Sequence, residues 1–378
     1  MTEHNSEKWL LSLYNSYTII DILHNLARKP EDTHASMHWV KSPIYYLFWN
    51  RRERRLRTVW RVALYSALWV TIQVASSLVI QSPLTTAFIT IIPAFSPIAG
   101  PLLFYVVNAL FVIGMTWLVA RRIDHRPLAD MGLRLDRPCF ADFGFGLLLG
   151  AGLMTVVFSA ELGLGWITIT DYLRTTLPHT TFAIGIWQPI FLFVAVGINE
   201  EFLSRGYQLR NLAEGLNLPI VGARTAVVLA WLCTSIIFGL LHIRNPNSTW
   251  VSTLALMVAG LFLGCGYVLT GRLGLPIGLH ITWNFFQGSV YGFRVSGNDL
   301  SNTTFIAIQQ AGPPLWTGGA FGPEAGLIGI VAMLLGLLLI ALWVQWRYGT
   351  IAIHQALATY RDVRRSDEWR EDKKTVGQ

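Results

Sequence analysis

The chain has 378 residues, 53% of them hydrophobic and only 13% charged, with 15 Trp and a mean hydropathy of +0.45, whereas a soluble domain carries roughly 25% charge. That balance excludes an ordinary soluble domain and points to a protein crossing the bilayer several times. The formal charge of +7 does not mark a nucleic-acid binder, because Lys and Arg gather beside the apolar runs, where the positive-inside bias places them.

Residues 1–59 read as a cytosolic N-terminal extension. They begin without the basic and apolar regions of a cleaved signal peptide, so none is expected. The segment 9–26 has a rough helical period and is expected to lie on the bilayer surface or to pack against the membrane domain. Arg51, Arg52, Arg54, Arg55 and Arg57 then hold the N-terminus on the cytosolic side. The apolar runs lack strand-like alternation, and backbone in lipid must satisfy its own hydrogen bonds, so an all-α polytopic fold of about eight transmembrane helices is expected.

Helix 1 is expected over 60–80, followed by an uncharged outer loop or partly re-entrant stretch, 81–97. Helix 2 follows over 98–120, and Arg121, Arg122, Arg126, Arg134 and Arg137 mark the return to the cytosol, in a loop that also holds Cys139. Helix 3 is expected over 143–164, and a polar outer loop through Asp171, Arg174 and His179 leads to helix 4, starting near Phe182. Helices 5 to 8 follow over 223–242, 250–269, 275–291 and 325–346. Helices 2, 6 and 8 read as plain lipid-facing or packing helices, with Gly260, Gly264 and Gly266 at close helix contacts. A Gly- and Pro-rich outer loop, 292–324, precedes helix 8, and Arg347, Arg361, Arg364 and Arg365 keep the C-terminus cytosolic. The membrane domain is thus 60–347, with a charged cytosolic tail over 348–378. Cys139, Cys233 and Cys265 offer no disulfide framework or CxxC metal site.

The chemistry concentrates in helix 4. If that helix stopped at Asn199, Glu200 and Glu201 would sit at the cytosolic boundary, a membrane thickness from His242. Phe202, Leu203, Tyr207, Leu209 and Leu212 continue the helical spacing, however, and strong breakers come only at 215–219. A helix extended to about Ala213 lifts Glu200 roughly 20 Å above its cytosolic end, at about 1.5 Å per residue. Ionisable groups near mid-membrane are costly unless paired or facing a polar cavity, which makes them functional candidates.

Glu201 and Arg205 can pair at i,i+4, and the plain reading of that pair is a register-holding ion pair. Glu200, about 100° round the helix, has no partner in its own turn. Phe238 and His242 on helix 5, and His280 and Asn284 on helix 7, repeat the four-residue spacing. One intramembrane histidine is most often a packing residue. Two histidines, an asparagine and two glutamates on three helices instead supply a base, a second imidazole and a hydrogen-bond donor, the roles needed for water-driven acyl hydrolysis. No HExxH, GxSxG, GxGxxG or P-loop is present.

Glu200–Arg205, Phe238–His242 and His280–Asn284 together resemble the EExxxR, FxxxH and HxxxN motifs of the CPBP (Abi) family, which includes type II CAAX prenyl endopeptidases and bacteriocin-processing or immunity proteins. The resemblance covers about 192–287, within a catalytic core of 182–291. The stretches 283–288 and 316–324 look like a bacterial branch. It implies an intramembrane endopeptidase in a bacterial plasma membrane, acting on a membrane-bound or lipid-anchored peptide or protein. In it Glu200 would activate water with help from His242, His280 and Asn284 would polarise the scissile carbonyl, and Glu201, Arg205 and Phe238 would orient them. The family is often labelled metalloprotease, and Glu200, His242 and His280 could supply three zinc ligands. Direct activation of water by Glu200 is preferred, because Asn284 beside His280 suits an oxyanion donor. A proton-coupled transporter and a non-catalytic immunity or regulatory protein are the readings from other classes. Oligomeric state is left open.

Overall fold

The computed structural model describes residues 43–360 except 52, 84, 86 and 88–95. The expected surface helix 9–26, most of the 81–97 stretch and the last arginines, from 361 on, lie outside the described residues. The chain forms two compact units, Met1–Arg52 and Glu53–Gln378. In the first, Pro43–Phe48 is a short helix, with the Arg51 guanidinium 4.8 Å from the Tyr46 ring centre.

The described residues of the second unit are mostly helical. We number its main helices α1 Thr58–Ile80, α2 Ser96–Arg122, α3 Arg137–Gly163, α4 Phe182–Leu216, α5 Gly222–Leu241, α6 Trp250–Thr270, α7 Gly274–Phe285 and α8 Leu327–Tyr348. Among the described residues seven of these are long and apolar enough to cross a membrane, and the protein is an integral membrane protein. The exception to the expected eight is α7, with 12 α-helical residues and a five-residue π-turn, Phe286–Val290. Residues Gly274–His280 are all buried, so α7 is surrounded by protein and need not match the hydrocarbon thickness.

Glycines let α7 sit so deep. A Cβ on Gly278 would collide with the Phe143 carbonyl oxygen, and one on Gly146 with that of Leu275. Small residues spaced four apart on both α3 and α7 (Gly146/Gly150 and Gly274/Gly278) thus bring the two backbones together. The three glycines of α6 do the same, since side chains there would collide with Ser235, Trp231 and Leu275. Of the two readings for α6, packing is the correct one, for it is 72% buried, against 6% for α1 and 22% for α2.

Helix α3 starts earlier than its hydropathy indicates, because Asp136 caps it, accepting from the Cys139 backbone N–H at 3.0 Å, with Pro138 in the first turn. Cys139 is therefore buried in a helix and not in a loop. The main apolar core joins Leu153 and Phe158 of α3, Phe238 of α5, Phe262 and Leu263 of α6, Leu279 and Trp283 of α7, and Met333 and Ile340 of α8.

The two polar loops expected to be irregular pair with each other. Strand β1, Ile167–Thr175, runs antiparallel to β2, Thr303–Gln310, in a register from Ile167 opposite Gln310 to Thr175 opposite Thr303, with an irregularity between Ile169 and Asp171. Alternation in Ile167-Thr168-Ile169-Thr170 is the local signal for it, but the partner strand is distant in sequence.

Two arginines expected only to mark topology, Arg55 and Arg126, do more. With Arg61 and Arg210 they are buried round Glu214 and Asp124. Glu214 accepts from Arg55 at 2.8 Å and from Arg126 at 2.7 Å, and Asp124 accepts from Arg61 at 2.6 Å. Arg210 also donates to the Ala356 carbonyl, and Asn217 to that of Ala358 at 2.9 Å, which docks the segment after α8 against the end of α4.

Candidate active site

Helix α4 is continuous to Leu216, as the breaker positions required. Its hydrogen bonding changes immediately after the two glutamates. Trp187–Glu201 is α-helical, Phe202–Leu209 is a π-helical stretch, and Arg210–Leu216 is α-helical again. The second π-turn follows Asn284 and Phe285 on the α7 line. Such widened turns concentrate at functional sites; here the first directly follows Glu200 and Glu201, and the second begins two residues after Asn284.

Glu201 is fully buried. Its Oε1 accepts from Arg205 Nη1 at 2.9 Å and meets His280 Nδ1 at 2.8 Å. Arg205 also donates to the Gly260 carbonyl at 2.8 Å and stacks its guanidinium 4.9 Å from the Phe238 ring centre. The expected i,i+4 pair is therefore present, and it has a second task, fixing the His280 ring between α4, α6 and α7. An ionised carboxylate can only accept, so the His280 proton facing it is on Nδ1, and Nε2 points the other way.

That Nε2 lies 4.0 Å from Glu200 Oε2. The Glu200 side chain is 27% exposed, in contrast to Glu201 at 0%, because it faces a cavity of about 380 Å³. His242, Asn284 and Ser204 line the same cavity. His242 caps the end of α5, with its Nδ1 donating to the Phe238 carbonyl at 2.8 Å and its ring 4.8 Å from the Phe238 ring centre. Both imidazoles therefore have Nδ1 held by an acceptor, leaving Nε2 for chemistry. All five candidate residues except Glu201 line one cavity, and Glu201 supports it from behind.

The donors do not form a metal shell. Among the described residues no group of three or more His, Cys, Asp and Glu side chains is placed to hold a metal ion, so Glu200, His242 and His280 do not fit the three-ligand zinc site as arranged.

Sequence reasoning missed other polar residues of the cavity wall. Asn245, Ser296, Asn298 and Glu324 line the cavity, contributed by the loop after α5 and by the segment between α7 and α8. Asn245 Nδ2 donates to the Ser296 carbonyl at 2.8 Å, Asn247 Nδ2 to that of Gly297 at 3.1 Å, and the Gly297 N–H to that of Phe321 at 2.7 Å. Glu324, 3% exposed, accepts from the Ser296 N–H and from Gln287 Nε2. Burial pushes its carboxyl up to about 7. Ser296 and Asn247 have positive φ, 49° and 58°, backbone strain that accumulates beside functional sites. An acidic residue ending a Gly- and Pro-rich loop was the only local signal for Glu324.

Residues 182–286 match the family model of type II CAAX prenyl endopeptidase Rce1-like proteins. The match spans all three motifs and bears out the family read from them. No curated protein and no solved structure matches the chain.

Proposed function

We propose that this chain, carrying an Rce1-like domain, is an intramembrane endopeptidase that hydrolyses a peptide bond in a membrane-associated or lipid-anchored peptide. The observation that carries the reading is the placement of Glu200, partly exposed to a cavity also lined by His242, His280 and Asn284, while the neighbouring Glu201 is consumed by Arg205 and His280.

In this reading Glu200 takes a proton from a water in the cavity, and the hydroxide formed adds to the scissile carbonyl carbon. His242 Nε2 accepts a hydrogen bond from the same water and holds it on the line of attack. The negative charge that develops on the carbonyl oxygen is met by the Asn284 amide N–H, and by His280 Nε2 when that ring carries both protons. As the C–N bond breaks, the proton on Glu200 passes to the leaving amine, which restores the carboxylate. Glu201, Arg205 and the Gly260 carbonyl hold the His280 ring throughout. Apolar walls from Phe193, Leu203, Leu256, Phe262 and Leu263 suit the apolar part of a membrane-derived peptide, and bulk water is kept to the polar end. Clusters of arginine at the helix ends support a plasma-membrane protein with cytosolic termini.

The reading is tested with Glu200→Ala and His242→Ala variants in the same membranes. Cleavage of a membrane peptide by the native protein should vanish in the first and fall at least about a hundredfold in the second; undiminished cleavage by both would overturn it.

A further inference from the structure

The carboxylates of this protein divide by whether a cation answers them. Glu201, Asp124, Glu214 and Asp136 each have an arginine within ion-pair distance. Glu324 has none among the described residues. It is nonetheless buried, and its two oxygens are held in a fixed direction by the Ser296 N–H and the Gln287 amide. Gln287 is itself fully buried, so the clamp on Glu324 is built from the protein interior.

The setting has a direction as well. No Lys or Arg lines the cavity among the described residues. Besides Glu324, the titratable groups facing it are Glu200 from α4, His242 after α5 and His280 from α7; α1, α6 and α8 contribute only Trp69, apolar side chains and Met333. A buried carboxylate without a counterion strongly favours an arriving positive charge and disfavours a negative one, because charge interactions are weakly screened away from water. Uncharged acceptors beside it, in the Asn245 and Asn298 side chains, suit the N–H donors of a cation.

We propose that Glu324, with Asn245 and Asn298, forms a subsite for a cationic side chain of the substrate, a lysine or arginine near the bond cut at Glu200. The subsite rests on the peptidase reading, in that one peptide in the cavity reaches both Glu324 and Glu200, which line it. It gives Glu324 a specificity role and leaves bond breaking to Glu200. The raised carboxyl adds a consequence: a bound cation draws the proton off Glu324, so selectivity for the cation strengthens as pH rises through about 7.

Binding, and not only cleavage, tests this. A set of otherwise identical apolar peptides, each with one lysine or one norleucine at successive positions, is titrated against the native protein, Glu324→Gln and Glu200→Gln in lipid nanodiscs. At about pH 8 the native protein should bind the best lysine peptide at least about tenfold more tightly than its norleucine twin. Glu200→Gln should keep that preference and Glu324→Gln should lose it. Equal binding of the twins by the native protein, or a preference that survives Glu324→Gln or disappears in Glu200→Gln, would overturn the subsite. Should Glu324→Gln not fold, the native protein and His242→Gln are compared at about pH 6 and about pH 8, a range in which lysine, with a pKa of about 10.4, stays charged. A preference that grows with pH in both supports Glu324, and one that is flat in either overturns it. Lysine preference in binding with no peptide cleaved would sustain the subsite and contradict the peptidase reading.

Discussion

Helix α4 carries two buried clusters of carboxylate and arginine, and they are built to opposite ends. Near the C-terminal end of α4, Glu214 is ringed by arginines: Arg55 and Arg126 donate to it, Arg210 lies 3.5 Å away and Arg61 3.8 Å away. At the other cluster Glu201 is ion-paired through Oε1, while Glu200, among the described residues, has only the His280 imidazole, at 4.0 Å, within ion-pair distance and keeps its carboxylate at a cavity. Charges at both sites cost desolvation. The first recovers that cost in the folded state by ion pairing, and the second leaves it partly unrecovered, as the proposed peptidase site requires.

Exchanging the two glutamates' roles is the sharpest way to break the comparison. Glu200→Gln should lower cleavage by about 10³-fold or more, with thermal stability in detergent unchanged or raised, as one uncompensated charge is removed. Glu214→Ala should do the reverse. It leaves buried arginines without their acceptor and should destabilise by about 3–5 kcal/mol, read as loss of folded protein in a detergent melt, with any folded fraction retaining its activity per molecule. If both variants lost stability equally, the division between a working and a structural cluster would be wrong.

Smaller effects sharpen the boundary of the working cluster. Asn284→Ala should reduce turnover by about 10²–10³ with little effect on substrate affinity, since the amide is assigned to charge that exists only in the transition state. A matching loss of affinity alone would move Asn284 to substrate binding. The smallest effect concerns pH. In the folded protein Glu324 keeps its proton up to about 7, against a usual value of 4.5, so the folded state binds more protons than the unfolded one between those values. Its contribution therefore favours folding at low pH and is lost as pH rises from 4.5 to 7. Native protein should melt lower across that rise, and Glu324→Gln should flatten this part of the dependence.

Much of this was legible because its causes are local. Apolar runs gave the spans, the absence of breakers before 215 extended α4, and four-residue spacing placed Glu201 with Arg205 and His280 with Asn284. The remainder depends on contacts between distant segments. Nothing local distinguishes the π-stretch after Glu201 from ordinary helix, and the bond from Glu201 to His280 joins residues far apart in the chain. The basic clusters near Arg55 and Arg126 read as topology markers, and only the fold brings Glu214 to them. Strands β1 and β2 pair across the whole stretch 182–291, and α7 is short because α3 packs against it through glycines, a property of its neighbours. Glu324 lies in a loop whose course over the cavity is set by carbonyls of 296, 297 and 321, so its role could not be seen from its surroundings in sequence.

The central claim is that Glu200 breaks a peptide bond inside the membrane, and comparing the peptides of membranes holding the native protein with those holding Glu200→Gln tests it most directly. Mass spectrometry should find at least one cleaved membrane peptide with the native protein that is missing with the variant at equal protein level, which would give substrate and bond together. Identical peptide sets from the two membranes would contradict the account.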